Sequence, residues 1–159
     1  KNTLIRQGPT QEILPSLGLL STKGEDLGEA GCLIEATVTG FSEAYSMIDM
    51  AIGEQSMQVL GLEPPATAKV RLFLAARDIA IATSKPTQLS IRNMLGVTIA
   101  DITPLSGNAR GLVAVDLTVD GSDERLCAHI SKAACEALNL QLGAEAFALI
   151  KSARIATPA

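Results

Sequence analysis

Aromatic side chains are almost missing from this chain of 159 residues, which has one Tyr, three Phe and no Trp. Proteins that hold single-stranded nucleic acid stack bases on such rings, so that class is disfavoured from the outset. A net charge of −4 opposes nucleic-acid partners more generally, because phosphate backbones recruit basic surfaces. No run of about 18 apolar residues occurs, so no membrane-spanning helix is expected. The opening Lys1-Asn2-Thr3-Leu4-Ile5-Arg6-Gln7 lacks the apolar segment and small-residue cleavage site of a signal peptide. Cysteines stand only at 32, 127 and 135. Their odd count and the lack of Cys-x-x-Cys spacing argue against a disulfide framework or a zinc site. They fit small buried residues in a reducing cytoplasm.

Catalytic motifs are equally scarce. His129 is the single histidine, which excludes a His-rich metal site and His-Glu-x-x-His. Cys127 shares a strand face with it, but alternation alone produces such pairs, and a structural histidine is the better reading. No Gly-x-x-x-x-Gly-Lys-[Ser/Thr] loop occurs, so nucleotide cannot be held in the P-loop manner. Carboxylates sit at turns, as in Ser122-Asp123-Glu124, where solvated loop charge explains them. The sequence is therefore not expected to be an enzyme, and no cofactor or metal is expected.

What is present is an aliphatic core patterned for strands. Hydrophobic residues make up 47% and charged residues 19%, enough apolar surface to fold. Residues 1–28 read as a connector, with a turn at Gln7-Gly8-Pro9-Thr10 and a short helical segment capped by Thr10 before Pro15. Beyond residue 31 the pattern becomes short strands between turns. Ile48, Met50 and Ile52 share one face at period two, as do Val113, Val115, Leu117 and Val119. Further strands are expected at Cys32–Thr39, around Met57 and Val59, at Lys69–Leu74, Ile79–Ala82, Ala146–Ile150 and Arg154–Ala156. Asp120-Gly121 is a hairpin signal, and Leu126, Ala128 and Ile130 follow on one face. One short helix is expected over 132–138, capped by Ser131. The two halves rhyme weakly, with Arg77-Asp78 matched to Lys151-Ser152. The expected fold is all-β: two small OB-like barrels in tandem, over 29–83 and 84–159, joined by Ser84-Lys85-Pro86-Thr87-Gln88.

One set of residues has the chemistry for an anion. Ser90-Ile91-Arg92-Asn93 opens the second half, and Lys151-Ser152 lies near its end. A tetrahedral oxyanion needs fixed positive charge and several hydrogen-bond donors, which Arg, Lys, Ser and backbone N–H groups supply. Ser131 adds a hydroxyl at the start of a helix. From spacing alone, ordinary surface residues at strand ends remain the commoner explanation.

Ser90-Ile91-Arg92-Asn93-Met94-Leu95-Gly96 resembles the opening Ser-Ala-Arg-Asn-x-Leu-x-Gly of the molybdate-binding (molbindin, or TOBE) domains. His129-Ile130-Ser131-Lys132, Glu136-Ala137-Leu138-Asn139-Leu140, Gly143 and Ala148-Leu149-Ile150-Lys151-Ser152 are similar to the rest of that pattern, over about 89–156. Val70 to Ala80 looks like the preceding segment in ATP-binding subunits of molybdate ABC importers, and Gln7 to Leu14 like the close of an ABC ATPase domain. The resemblance implies a C-terminal regulatory and dimerisation domain whose ATP site lies upstream. Its partners would be a second copy, the ATPase domain and the membrane permease, on the cytoplasmic face of the membrane. It also implies a molybdate or tungstate site where copies meet, with Ser90, Arg92, Ser131, Lys151 and Ser152 as ligands and Asn93 stabilising the local turn. Ile91 stands where free-standing binding domains usually have Ala, so its bulk would restrict approach to the backbone N–H. Alternatives are the equivalent domain of a sulfate or other solute importer, and a free-standing molybdate-binding protein.

Overall fold

Alternating burial along each strand builds the structure, a computed structural model that describes residues 30–158. The elements are β1 (Gly31–Ser42), β2 (Met47–Ile52), β3 (Gln55–Leu60), β4 (Lys69–Ala75), β5 (Ile79–Ala82), β6 (Asn93–Pro104), β7 (Leu112–Val119), β8 (Arg125–Ser131), α1 (Lys132–Leu138), β9 (Glu145–Ile150) and β10 (Arg154–Pro158). The expected connector over 1–28, with its turn at Gln7–Thr10 and its short capped helix, lies outside the described residues. Strands dominate, as the period-two pattern requires. Ile48, Met50 and Ile52 of β2 are buried, as are Val113, Val115, Leu117 and Val119 of β7. With so few aromatic rings the core is aliphatic, and one continuous apolar cluster runs through both halves.

The helix forms where capping chemistry permits it. The Ser131 hydroxyl oxygen accepts from the Ala134 N–H at 2.9 Å, satisfying a donor that the first turn leaves open. Asn139 closes the helix in the left-handed region, at φ 52° and ψ 50°, and its N–H reaches Cys135 and Glu136 carbonyls.

Two five-stranded antiparallel sheets result, ordered β10-β4-β1-β2-β3 and β5-β9-β6-β7-β8. Their order is the same if each half contributes five strands and the fifth is exchanged. β5 leaves the first half to pair with β9, and β10 returns from the second half to pair with β4. The halves therefore do not separate at 83/84, where the sequence placed the boundary. The reason is the 3-10 turn at Ala76–Asp78, which redirects the chain between sheets before β5 begins. The register also revises the internal rhyme. Bulges at Val38/Gly40 in β1 and Ile99/Asp101 in β6 align the two strands, so Cys32↔Leu74 corresponds to Asn93↔Ile150. Ala75-Ala76, rather than Arg77-Asp78, then occupies the place of Lys151-Ser152.

Side chains acting as strand backbone join the sheets. Asn93 Oδ1 accepts from the Gln58 N–H at 2.8 Å, and its Nδ2 donates to the Gln58 carbonyl at 2.8 Å. Gln55 does the reverse, accepting from the Gly96 N–H at 2.7 Å and donating to the Gly96 carbonyl at 2.9 Å. Asn93 thus ties β6 to β3 and does not stabilise the local turn, as its place in the motif had implied. The pseudo-equivalent seam between β8 and β1 uses other chemistry. Glu124 stands where the other seam has Gln55, and its carboxylate accepts from the Glu35 backbone N–H. Cys32 stands in the place of Asn93, and the Cys127 N–H points at its sulfur. The two hairpin tips also touch: a Cβ on Gly53, at φ +60°, would run into the Gly121 carbonyl and Ser122.

Candidate anion-binding site

The ladder at one end of the second sheet decides which candidate residues meet. Ile150 of β9 pairs with Ile79 on one side and Asn93 on the other. One residue further along each chain, Asp78, Lys151 and Arg92 stand in a row across three neighbouring strand ends. The Lys151 backbone N–H donates to the Asp78 carbonyl at 3.0 Å, which holds the first two together. Ser152 follows, and its hydroxyl donates to Asp78 Oδ2 at 3.0 Å. Arg92, Lys151 and Ser152 are exposed, and Ser90 is exposed on the segment entering β6. Two cations with no ion pair among the described residues therefore share one rim. A small cavity of about 190 Å³ opens beside it, lined by Phe73, Ala75, Asp78, Ser152, Ala153 and Arg154. The Arg154 guanidinium is stacked on the Phe73 ring, 4.5 Å from its centroid. A larger groove between Leu60–Ala66 and Ala153–Ile155 is mostly apolar and contains none of the five candidate ligands.

Ser131 is held apart from this row in the ladder. It pairs with Leu112 on β7, and no hydrogen bond among the described residues links it to the other four. Its oxygen is already engaged as the helix cap. Burial pushes the Cys32 thiol up to about 12 and the Cys127 thiol well above its ordinary value, so neither is a nucleophile. Burial also lowers the pKa of His129, which favours the neutral imidazole of a structural residue. Among the described residues no cluster of His, Cys, Asp and Glu could hold a metal ion. None of their helices is long and apolar enough to cross a membrane.

All five candidate ligands fall inside a segment that matches a sequence family. Residues 89–156 match the family described as the TOBE domain. This segment is thus similar to TOBE domains. Curated relatives extend the likeness to nearly the whole chain. The molybdenum import ATP-binding protein ModC of Mesorhizobium japonicum is 34% identical over 149 residues, covering 94% of this chain and 38% of the relative. The ModC of Paramagnetospirillum magneticum is 32% identical over 149 residues, covering 94% of this chain and 39% of the relative. The chain thus spans about two fifths of the length of these relatives. Among solved structures, the cytoplasmic molybdate-binding protein ModG with molybdate bound superposes with a TM-score of 0.68 at 23% identity. That match covers 79% of this chain and 95% of ModG. Sequence divergence at this level leaves the likeness one of fold.

Within the matched segment 89–156, the five sequence-predicted residues divide into a rim group and an outlier. Arg92, Lys151 and Ser152 gather at one sheet end with Ser90 on the approach, while Ser131 caps α1. Ile91 is half-buried beside the row. The first half has no counterpart of the rim. Its equivalent positions are Gly31, Ala75 and Ala76, which offer neither charge nor hydroxyl. Sequence reasoning missed Asp78, because it lies outside the TOBE segment and reaches Ser152 only through the exchanged fifth strand. A motif cannot record a residue delivered from 74 positions away.

Proposed function

We propose that this chain is the β-barrel portion of the ATP-binding subunit of a molybdate importer, and that it binds a tetrahedral dianion at the Arg92–Lys151 rim. The observation that carries the reading is the convergence of two uncommitted cations and a hydroxyl at one sheet end, within the TOBE segment. Fixed guanidinium and ammonium groups supply charge, and Ser90, Ser152 and backbone N–H groups supply directed donors. Ser131 stands apart in the ladder, so a complete ligand set is reached when a second copy brings its own residues to the rim. Binding and pairing are then coupled, and the oxyanion level regulates the attached ATPase. ATP hydrolysis and permease contact belong to the rest of such a subunit.

Calorimetric titration of the chain with molybdate, tungstate and sulfate tests this reading, with sedimentation run in parallel. Arg92→Ala and Lys151→Ala each remove one charge-assisted partner, and roughly a thirty- to hundred-fold loss of affinity is expected. Arg110→Ala, on an exposed turn, leaves affinity unchanged. Ile91→Ala tightens binding by opening the backbone N–H. Failure of molybdate and tungstate to bind either the parent chain or Ile91→Ala would sink the sensing role and leave a structural module. The ModG likeness, which spans 95% of that protein, supports a second reading as a free-standing oxyanion binder. A Walker motif encoded upstream of residue 1 would exclude it.

A further inference from the structure

We infer that Asp78 is a specificity-determining residue of the rim: its carboxylate competes with the incoming anion for Ser152 and weakens binding of fully ionised dianions. The inference rests on the anion-binding reading above. Three observations carry it. Asp78 sits in the same row as Lys151 and Arg92, set by the pairing of Ile150 with both Ile79 and Asn93. Its backbone carbonyl is pinned by the Lys151 N–H at 3.0 Å, so the side chain cannot drift far from the cations. Its Oδ2 already holds the Ser152 hydroxyl at 3.0 Å.

A hydroxyl has a single proton to donate. While Ser152 gives that proton to Asp78, it cannot give it to an anion. A dianion arriving at the rim must therefore break this bond and settle beside a negative charge. Like charges a few ångströms apart repel appreciably even at the dielectric of a protein surface. The half-buried position of Asp78 limits solvent screening of that repulsion. The geometry also explains why a rim with two free cations need not be indiscriminate. Its net charge is one lower than the cations alone suggest, which raises the threshold for occupancy.

The test is a double-mutant cycle on the whole chain with sodium molybdate as probe, read by calorimetry at two salt concentrations. Asp78→Asn keeps the shape but removes the charge, and with it the charge-assisted hold on the Ser152 hydroxyl. Molybdate affinity is expected to rise roughly tenfold or more, with the gain shrinking at high salt. Asp78→Glu keeps the charge and stays near the parent affinity. Ser152→Ala costs little in the parent, where the hydroxyl is sequestered, and several-fold more in the Asp78→Asn background. Thermal unfolding of each variant checks that the fold is unchanged. Binding by Asp78→Asn when the parent shows none would support the inference outright. Equal molybdate affinity in the parent and Asp78→Asn overturns it, while the anion-binding reading stands. Absence of binding in every variant removes both.

Discussion

Replacing Glu124 by Gln should stabilise the protein at alkaline pH and leave it unchanged in acid. At the β3–β6 seam, Gln55 both accepts from and donates to the Gly96 backbone. At the matching β8–β1 seam, Glu124 accepts from the Glu35 N–H, but only a protonated carboxyl could also donate as the amide does. Burial raises the Glu124 pKa from 4.5 to about 7, with added repulsion from Glu35 and Asp123. A carboxyl whose pKa is raised on folding favours the fold while neutral. The contribution of Glu124 to stability is therefore greatest below about pH 4.5, falls as pH rises towards 7 and is level above it. At about 1.4 kcal/mol per pKa unit the full loss is about 3 kcal/mol, and partial exposure brings it to roughly 2–3 kcal/mol. Gln cannot ionise, so Glu124→Gln recovers that amount at pH 8 and nothing near pH 4.5. In a chain of this size the gain corresponds to a rise in midpoint of roughly 5–10 °C. Thermal melts followed by far-UV circular dichroism at pH 4.5, 6 and 8 read it directly. An equal gain at all three values, or a loss at pH 8, would refute the account.

Three further outcomes follow from the same geometry. Asn93→Ala removes both bonds to Gln58 and strands two backbone groups at a seam, so urea unfolding should show a loss of about 2–3 kcal/mol. Gly53→Ala forces a side chain against the Gly121 carbonyl at positive φ, and a loss of about 2–4 kcal/mol is expected; Gly107→Ala, also at positive φ but in open space, should cost only about 1 kcal/mol. Ser131→Ala deletes the α1 cap for about 1 kcal/mol in chemical denaturation, and Ser131→Asp, which can still cap, should recover most of it.

Local rules made much of this protein readable in advance. Period-two burial marked β2, β7 and β8, Asp120-Gly121 marked a hairpin, and Ser131 marked the start of a helix at Lys132–Leu138. Each depends on neighbours within a few positions, which a sequence displays directly. Arg92, Lys151 and Ser152 were legible through the TOBE pattern, since motif and ladder end coincide. The fifth-strand exchange was not legible. β5 and β10 are short strands that share only an Ile-Ala pair, nothing in their composition selects one fourth strand over the other, and the choice is made by the turn at Ala76–Asp78 and the packing beyond it. The roles of Asn93 and Asp78 were hidden for the same reason. Their partners, Gln58 and Ser152, lie 35 and 74 residues away, and a hydrogen bond to a distant strand leaves no periodic trace in the chain. Strand type is a local property of the residues, whereas strand partnership is decided only when the two sheets close on each other.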